Sequence, residues 1–352
     1  MNTSIKKVEL EITSDCNAAC PGCARTLNKE LLQINSFTLQ DLQRIFPVDD
    51  YTGVEFKFCG VLGDPIVNQD FLDMVKYLTD LGGYCEVSTN GGYNTGKWWN
   101  ELGSIATKHP GKLHIHFCID GYEETNHIYR VNTKWKTIER NINAFAQTAP
   151  DKHATWIFIV FDHNEYELAK AKAHANILGF EFATRTGMRN SYHQWISQLG
   201  KKNKKVEQKI TTTGKKEHSK KDIVKDLDKF ITEYKSNVVD KEKTQNIVNS
   251  IVCKYIHEQE IFIASDQTMW PCCFLWDSAF KNKEDILYKL NQFEPNWNSL
   301  KHHTIEQIQK HKWFEHLLEA SWQPTHPLHF TRCIRTCAKN KAYHNEINYE
   351  PV

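Results

Sequence analysis

The chain has 352 residues, of which 40% are hydrophobic, and its formal net charge is +1. These values predict a globular protein with a large core, and they exclude an overall electrostatic attraction to nucleic acid or to an anionic membrane. The first residues lack the apolar stretch of a secretory signal, and no apolar run approaches a membrane span. We therefore expect a cytoplasmic protein that contacts no membrane.

Residues 6–188 alternate between segments with strand patterns and segments with helix patterns. Six strands are predicted, at Val8–Thr13, Gly53–Cys59, Tyr84–Ser88, Leu113–Ile119, Thr155–Phe161 and Phe180–Arg185. Helices are predicted between them, including Asn68–Leu81 and Asn164–Leu178, each with glycine directly after it. This alternation predicts parallel strands joined by crossover helices. The fold class is therefore α/β, and six such units fit a partial (β/α)6 barrel.

Several of the predicted strands alternate apolar and polar side chains. In the first strand, Val8 and Leu10 alternate with Glu9 and Glu11. Strands that are buried on both faces usually read as continuously apolar. The polar face therefore indicates either a wet barrel interior, which would suit a polar substrate, or the solvated face of an ordinary sheet.

Three cysteines follow the first predicted strand in a C-x3-C-x2-C spacing, at Cys16, Cys20 and Cys23. Three thiolates from one short loop suit a four-iron four-sulfur (4Fe-4S) cube with one iron open to a non-protein ligand. Such an open iron implies a cofactor-driven enzyme. Closely spaced cysteines also bind tetrahedral zinc, but zinc would want a fourth ligand nearby, and the residues between these cysteines offer none.

The composition changes between Gly200 and about Ser250. Residues 201–225 contain ten Lys against three acidic residues, and the whole stretch is poor in aromatic side chains. We interpret it as an insertion or linker, which divides the chain into domains at 1–199, 200–250 and 251–352. Because the Lys cluster lacks interleaved aromatic residues, nucleic acid is not an expected partner.

The last predicted domain is small and of α+β type. Ile261–Ala264 and Met269–Pro271 read as a hairpin, which delivers Cys272 close to where its first strand began. An amphipathic helix is predicted over 303–320. Of the other cysteines, Cys59 and Cys85 read as buried core thiols.

Together with the cysteine triplet, three later segments resemble the radical SAM superfamily. In that family the fourth iron is chelated by the amino and carboxylate groups of S-adenosylmethionine. The resemblance implies a partial barrel, a 4Fe-4S cluster, S-adenosylmethionine as cofactor and a flavodoxin- or ferredoxin-like electron donor. One departure is Gly22, because the residue before the third cysteine is commonly aromatic in the family and stacks near the adenine.

The three segments each end a predicted strand, where parallel α/β folds place their active sites. The segment 58–65, with Gly63, Asp64 and Pro65, resembles the glycine-rich segment that holds the methionine amino group. Ser88, Thr89 and Asn90 resemble the segment that reaches the ribose. The third segment, at 117–121, resembles a Ser-Ile-Asp-Gly pattern, and the resemblance gives Arg130 downstream the role of pairing with the methionine carboxylate.

The serine of that pattern is replaced here by Cys118. The catalytic residues of any later acid–base step are not located by the sequence. Asp120 and Cys118 are the candidates, and for Cys118 a plain substitution or a buried thiol is the alternative.

The carboxyl-terminal cysteines resemble the Twitch or SPASM extensions of the family, which bind auxiliary iron–sulfur clusters. The resemblance implies one auxiliary 4Fe-4S cluster, with Cys273 as an alternative to one ligand. The ligands would be Cys253, Cys272, Cys333 and Cys337. The same four thiolates would also suit a structural zinc ion.

The sequence thus predicts a radical SAM enzyme. It would cleave S-adenosylmethionine reductively to a 5′-deoxyadenosyl radical, which abstracts hydrogen from a polar small-molecule or peptide substrate. A peptide- or protein-modifying maturase is an alternative within the same family. The alternatives outside this activity are a zinc-stabilised protein that binds nucleic acid and a degenerate barrel that binds the cofactor without turnover.

Overall fold

The structure is a computed structural model that describes residues 5–149, 151–185, 248–281, 290, 294–323, 330–338 and 347–349. Its nine described strands are β1 Lys7–Leu10, β2 Glu55–Phe58, β3 Tyr84–Thr89, β4 Leu113–Cys118, β5 Ala154–Ile159, β6 Glu181–Arg185, β7 Glu260–Ile263, β8 Met269–Trp270 and β9 Ile347–Tyr349. They form one sheet in the order β8-β7-β1-β2-β3-β4-β5-β6-β9.

Strands β1 to β6 pair in parallel and in chain order, which confirms the six predicted strands and their parallel arrangement. Within the described residues, the end strands β8 and β9 do not pair with each other, so the barrel is partial and open. Both end strands are antiparallel to their neighbours, β8 to β7 and β9 to β6.

Helices connect the parallel strands. The described α-helices are α1 Ala24–Leu27, α2 Leu39–Ile45, α3 Phe71–Asp80, α4 Gly96–Lys108, α5 Asn126–Tyr129, α6 Trp135–Thr148, α7 Leu168–Ile177, α8 Lys254–His257, α9 Cys273–Lys281, α10 Ile305–Gln309, α11 Leu318–Ala320 and α12 Thr331–Cys337. Single 3-10 turns at Lys29–Leu31, Pro65–Val67 and Glu165–Glu167 and a π-helical turn at Trp313–Leu317 complete the set.

The apolar face of the sheet packs against the connecting helices. The ring of Phe58 on β2 lies 5.5 Å from that of Phe71 on α3, and Phe117 on β4 lies 5.3 Å from Trp99 on α4 and 5.7 Å from Phe145 on α6. Since side chains alternate along a strand, the opposite face carries the polar residues. Burial of the aromatic rings thus fixes which side chains face the inside of the open barrel.

Two glycines end helices as the sequence indicates. Gly82 after α3 and Gly179 after α7 adopt φ of +83° and +71°, a conformation that L side chains rarely take. The predicted hairpin is also confirmed, because β7 and β8 pair in antiparallel fashion. In addition, β7 pairs in parallel with β1, so it extends the sheet of the first half of the chain.

Residue contacts divide the chain into two compact units. The first comprises 1–195, 254–311 and 344–352, and the second comprises 196–253 and 312–343. The predicted domain 251–352 is therefore shared between the units. The predicted boundaries at 199 and 250 stay predictions, and the Lys-rich residues 200–247 lie outside the described part of the chain.

In the described part of the second unit, buried tryptophans form a small core. The Trp313 ring lies 6.3 Å from that of Phe330, whose N–H donates to the Ser321 carbonyl at 2.9 Å. An antiparallel bridge joins Ile251 to Ala338. The single helix predicted over 303–320 is divided into α10, the π-helical turn and α11.

Among the described residues, no helix combines the length and the apolar character that crossing a bilayer requires.

Candidate active site

The cysteine loop after β1 meets three other loops at the carboxyl-terminal edge of the sheet. Asn90 Nδ2, after β3, lies 3.8 Å from Cys16 Sγ, and Arg130 Nη1, after β4, lies 3.9 Å from Cys20 Sγ. The Cys23 thiol is 3.8 Å from the carbonyl oxygen of Val61, after β2. Each thiol therefore contacts a different one of the three segments that the sequence singles out.

The three thiols also share one electrostatic environment. Burial and, after it, the charges of Asp64, Cys20 and Cys23 together raise the pKa of Cys16 to about 12. Burial raises the pKa of Cys20 as well, while the positive charge of Arg130 opposes that rise. Metal binding would remove the proton from each thiol, so the adjacent guanidinium compensates part of the charge that ligation creates.

This donor set fits the chemistry of an iron–sulfur cluster, with three thiols on one loop and a cation beside one of them. Within the described residues, no three Cys, His, Asp or Glu side chains are arranged as ligands of a single metal ion.

An ion pair that the sequence does not reveal fixes the start of the cysteine loop. Asp15 Oδ1 accepts the N–H of Cys16 at 2.8 Å and pairs with Arg25 Nη2 at 3.0 Å. Arg25 Nε also donates to the Ser14 carbonyl at 3.2 Å. The residues before and after the triplet are therefore tied to each other, which restricts the loop that holds the thiols.

Gly63 packs the segment after β2 against the segment after β1. A Cβ at this position would lie 1.8 Å from the Thr13 carbonyl oxygen, and the next residue, Asp64, donates its N–H to the Asp15 carbonyl at 2.8 Å. Sequence reasoning assigns the glycine to a close approach between backbone and ligand. In the structure the close approach is to the chain itself, and it brings the two predicted cofactor segments together.

The buried carboxylate of Asp64 holds the segment after β3. Its Oδ2 accepts from the backbone N–H of Asn90 at 2.8 Å and from the Asn90 side chain at 2.7 Å, while Oδ1 accepts from the N–H of Ile66 at 3.3 Å. Burial raises the pKa of Asp64, and the hydrogen bond from Asn90 opposes that rise. Pro65 begins the 3-10 turn that follows.

Asn90 joins the segment after β3 to the cysteine loop. Besides contacting Asp64 and Cys16, its Nδ2 donates to Asn17 Oδ1 at 2.9 Å. Ser88 and Thr89 lie on opposite faces of β3, because side chains alternate along a strand. Thr89 is buried on the apolar face and its Oγ1 accepts the Gly91 N–H at 3.1 Å, whereas Ser88 is half-buried on the polar face.

Arg130 is oriented by Asp120. Asp120 Oδ2 pairs with Arg130 Nε at 2.7 Å, and Oδ1 accepts the N–H of Ile159 at 2.7 Å. The side chain of Asp120 is fully buried, and burial raises its pKa while Arg130 opposes the rise. Both oxygens of this candidate acid or base are thus engaged in holding other groups.

The second catalytic candidate, Cys118, ends β4 and is half-buried. Burial raises the pKa of its thiol, and the positive charges of Arg130 and Arg185 oppose that rise. Its Sγ lies 3.8 Å from the carbonyl oxygen of His116. The structure therefore places a protonated thiol on the same edge of the sheet as Arg130.

Glu11 is a site residue that sequence reasoning missed. It is 1% exposed, and its Oε1 accepts the N–H of Leu62 at 2.6 Å, while Ser265 Oγ donates to Oε2 at 3.4 Å. Burial raises the pKa of Glu11, backbone N–H groups of the loop containing Leu62 and Gly63 oppose that rise, and the resulting pKa is about 7. The only signal in the sequence is a glutamate on the polar side of an alternating strand.

The predicted auxiliary ligands are distributed over both units. Cys272 belongs to the first unit, and Cys253, Cys333 and Cys337 belong to the second. Within the second unit, the backbone N–H of Val252 donates to the carbonyl oxygen of Cys337 at 3.0 Å. Cys253 directly follows Val252, so these two predicted ligands lie on hydrogen-bonded segments of the chain. The auxiliary cluster stays a prediction.

The remaining cysteines differ in their surroundings. Cys85 is fully buried in the apolar core, as predicted. Cys59 is half-buried on the polar face, where its thiol donates to Glu9 Oε1 at 3.0 Å. The difference follows from strand alternation, because the preceding Phe58 takes the apolar face.

The chain is similar in structure to several solved proteins at low sequence identity. The SuiB protein of Streptococcus suis bound to S-adenosylmethionine is 12% identical with a TM-score of 0.49, and the match covers 81% of this chain and 65% of that one. BtrN in complex with AdoMet and 2-DOIA is 10% identical with a TM-score of 0.39, over 89% of this chain and 85% of BtrN. Methylornithine synthase is 12% identical with a TM-score of 0.34, over 52% and 55%.

The chain spans slightly less than two thirds of the length of SuiB. No protein-family model matches the sequence. No curated protein sequence matches it either.

Proposed function

We propose that this chain is a radical SAM enzyme. One observation carries the proposal: the three thiols of the C-x3-C-x2-C loop contact Val61, Asn90 and Arg130, which follow three successive strands of the open barrel. A cofactor that binds beside the thiols at this edge would touch all three loops at once.

Cys16, Cys20 and Cys23 would hold a 4Fe-4S cluster, and the loops after β2, β3 and β4 would hold S-adenosylmethionine. When bound, the two cofactors supply reductive cleavage of the sulfonium and a 5′-deoxyadenosyl radical that abstracts hydrogen from the substrate. The protein's part is to bind and orient them and to exclude water.

The protein groups divide that work between them. Arg130, held at its Nε by Asp120, keeps its outer guanidinium nitrogens on the cysteine side and would pair there with the methionine carboxylate. Asp64 fixes the backbone and side chain of Asn90, which lies beside Cys16. Asp64 would thus be a positioning residue, which acts on the cofactor by holding Asn90 in place.

The substrate would lie against the polar inner face of the barrel. Strands β2 to β4 carry Lys57, Glu86 and His116 on that face, with Glu86 3.7 Å from Lys57 and 3.6 Å from His116. These side chains suit a polar small molecule or a peptide. A flavodoxin- or ferredoxin-like electron donor, an auxiliary 4Fe-4S cluster and a cytoplasmic location complete the proposal.

The test is anaerobic reconstitution with iron and sulfide, followed by incubation with dithionite and S-adenosylmethionine. We expect iron and labile sulfide in the purified protein and formation of 5′-deoxyadenosine. Cys20→Ala should lose 5′-deoxyadenosine formation and the share of iron and labile sulfide that belongs to the cluster of the C-x3-C-x2-C loop. Cys85→Ala, which removes a core thiol, should keep the activity and the full iron and sulfide content. Zinc without labile sulfide would support the zinc-stabilised alternative and would overturn the proposal.

A further inference from the structure

A cluster of charged side chains lies on the polar face at β1, β2, β3 and β7 and on the neighbouring α8, away from the cysteine loop. We call it the charged cluster, and its members are Glu9, Lys57, Glu86, Lys254 and Glu260. Strand register places Glu9 beside Lys57 and Lys57 beside Glu86. Lys57 feels the negative charges of all three glutamates, so the members form one electrostatic group.

Two carboxylate oxygens of this cluster have no hydrogen-bond partner among the described residues. Glu9 is 7% exposed. Its Oε1 accepts from Cys59 and the Cys273 thiol lies beside the same carboxylate, while its Oε2 is unpaired. Glu260 is 1% exposed, and while its Oε1 pairs with Lys254 at 2.9 Å, its Oε2 is unpaired. Buried carboxylate oxygens normally find a donor, so each indicates a place for one.

The formal charge of the cluster points to the kind of donor. Three glutamates of the cluster face two lysines. Lys7 also acts on Glu260 but is paired with Glu55 at 2.7 Å, so one negative charge lacks a counterpart. Burial raises the pKa of Glu260, the charge of Lys254 opposes that rise, and the charge of Glu9 adds to it. A group with one positive charge and several N–H donors would balance the unmatched negative charge and donate hydrogen bonds to the two unpaired oxygens.

We infer that Glu9 and Glu260 bind the primary ammonium group of an amine substrate. This inference rests on the proposed function, because it names the substrate class of the same site. Glu9 lies two residues before Glu11, which holds the loop after β2, and two residues of a strand span about 7 Å. The amine would thus lie roughly 7 Å deeper in the open barrel than the loop that is proposed to bind the cofactor.

The first experiment uses three probes on the wild-type protein without cluster or S-adenosylmethionine. Propylammonium chloride should raise the thermal midpoint by a few degrees at saturation, since a ligand that binds only the folded state stabilises it. Propan-1-ol has similar size and no charge, and tetramethylammonium chloride has the charge but no N–H donor. Neither should raise the midpoint at equal concentration and ionic strength. An equal rise with either would overturn the inference.

The second experiment locates the effect with isosteric variants. Glu9→Gln should abolish the rise caused by propylammonium. Glu181→Gln, which changes a half-buried carboxylate on the polar face of β6, should keep the full rise. A response to propylammonium that persists in Glu9→Gln and in Glu260→Gln would contradict the assignment.

These outcomes are separable from those of the proposed function. Amine binding is measured without electron transfer, whereas the proposed function is tested by 5′-deoxyadenosine formation in reconstituted protein. A protein that cleaves S-adenosylmethionine but does not distinguish propylammonium from propan-1-ol would keep the proposed function and lose this inference. A protein that distinguishes propylammonium from propan-1-ol but does not cleave S-adenosylmethionine would keep this inference and lose the proposed function.

Discussion

Arg130 Nη1 lies 3.9 Å from Cys20 Sγ, while Nε of the same guanidinium is paired with the fully buried Asp120 at 2.7 Å. A planar guanidinium that is fixed at one nitrogen has its other nitrogens fixed as well. The ion pair therefore sets the direction in which Arg130 faces the cysteine loop. Asp120 acts on the site through Arg130, as a positioning residue.

Asp120→Asn is expected to weaken S-adenosylmethionine binding by tenfold or more. The amide keeps an oxygen for the N–H of Ile159 but loses the charge that holds Arg130, and breaking a buried ion pair costs about 3 kcal/mol of stability. The measurements are the dissociation constant of S-adenosylmethionine by calorimetry and the free energy of unfolding.

Asp80→Asn is the matched control, since Asp80 is a surface carboxylate paired with Lys76 and Lys108. Its effect on stability should stay below about 1 kcal/mol, and cofactor binding should be unchanged. If Asp120→Asn lost stability but bound S-adenosylmethionine as tightly as the wild type, Asp120 would be structural only.

Gly63→Ala is expected to destabilise the protein by more than about 2 kcal/mol and to abolish cofactor binding. The new methyl group would meet the Thr13 carbonyl at 1.8 Å, and that backbone cannot move without displacing the strand end before the cysteine loop. Gly96→Ala is the control, because its nearest neighbour would be at an ordinary 3.7 Å. Denaturant unfolding of both variants measures the difference, and similar values would argue against the close packing.

Asn90→Ala is expected to lower the affinity for S-adenosylmethionine while leaving the fold intact. The change removes the side-chain bonds to Asp64, Asn17 and Gly92, while Asp64 Oδ2 keeps the backbone N–H of residue 90. Losing one hydrogen bond to this buried carboxylate costs about 1–3 kcal/mol. Calorimetric titration with S-adenosylmethionine measures the change in affinity. An unaltered affinity together with an unaltered iron content would contradict the role of Asn90.

The amino-acid sequence is sufficient to predict the strands of the barrel and the segments that meet at its edge. Alternation of Val8, Glu9 and Leu10 indicates which face of β1 is apolar, and parallel strands bring their carboxyl ends to one edge. The pairing of Asp64 with Asn90 is different, because it depends on how two loops 26 residues apart fold against each other. No local pattern encodes such a contact.

The addition of β7 to the sheet beside β1 was not predicted for a similar reason. Ile261 and Val8 pair in register although about 250 residues separate them in the chain. The sequence indicates the hairpin because its turn is local, but the partner of its first strand is set by tertiary packing. Sequence reasoning also missed Glu11, because one of its hydrogen-bond partners, Ser265, follows the first strand of that hairpin.

The ionisation of Glu11 predicts how stability varies with pH. Burial raises its pKa from 4.5 to about 7, so between these values the folded protein binds a proton that the unfolded chain releases. The free energy of unfolding should therefore decrease as pH rises from about 4.5 to 7 and should then level off. The loss that comes from Glu11 is about 3 kcal/mol. Glu11→Gln removes this titration, so its stability should exceed that of the wild type increasingly as pH rises to 7.

The measurement is the free energy of unfolding of the wild type and the variant without cluster or cofactor, at intervals from pH 4.5 to 8. Subtracting the two curves removes the groups that titrate alike in both proteins. Glu306→Gln is the control, because Glu306 is an exposed member of a surface ion pair with Lys310, and its difference curve should be nearly flat. A flat curve for Glu11→Gln as well would show that Glu11 titrates at its ordinary value, and the loop containing Leu62 and Gly63 would then be held by a permanently ionised carboxylate.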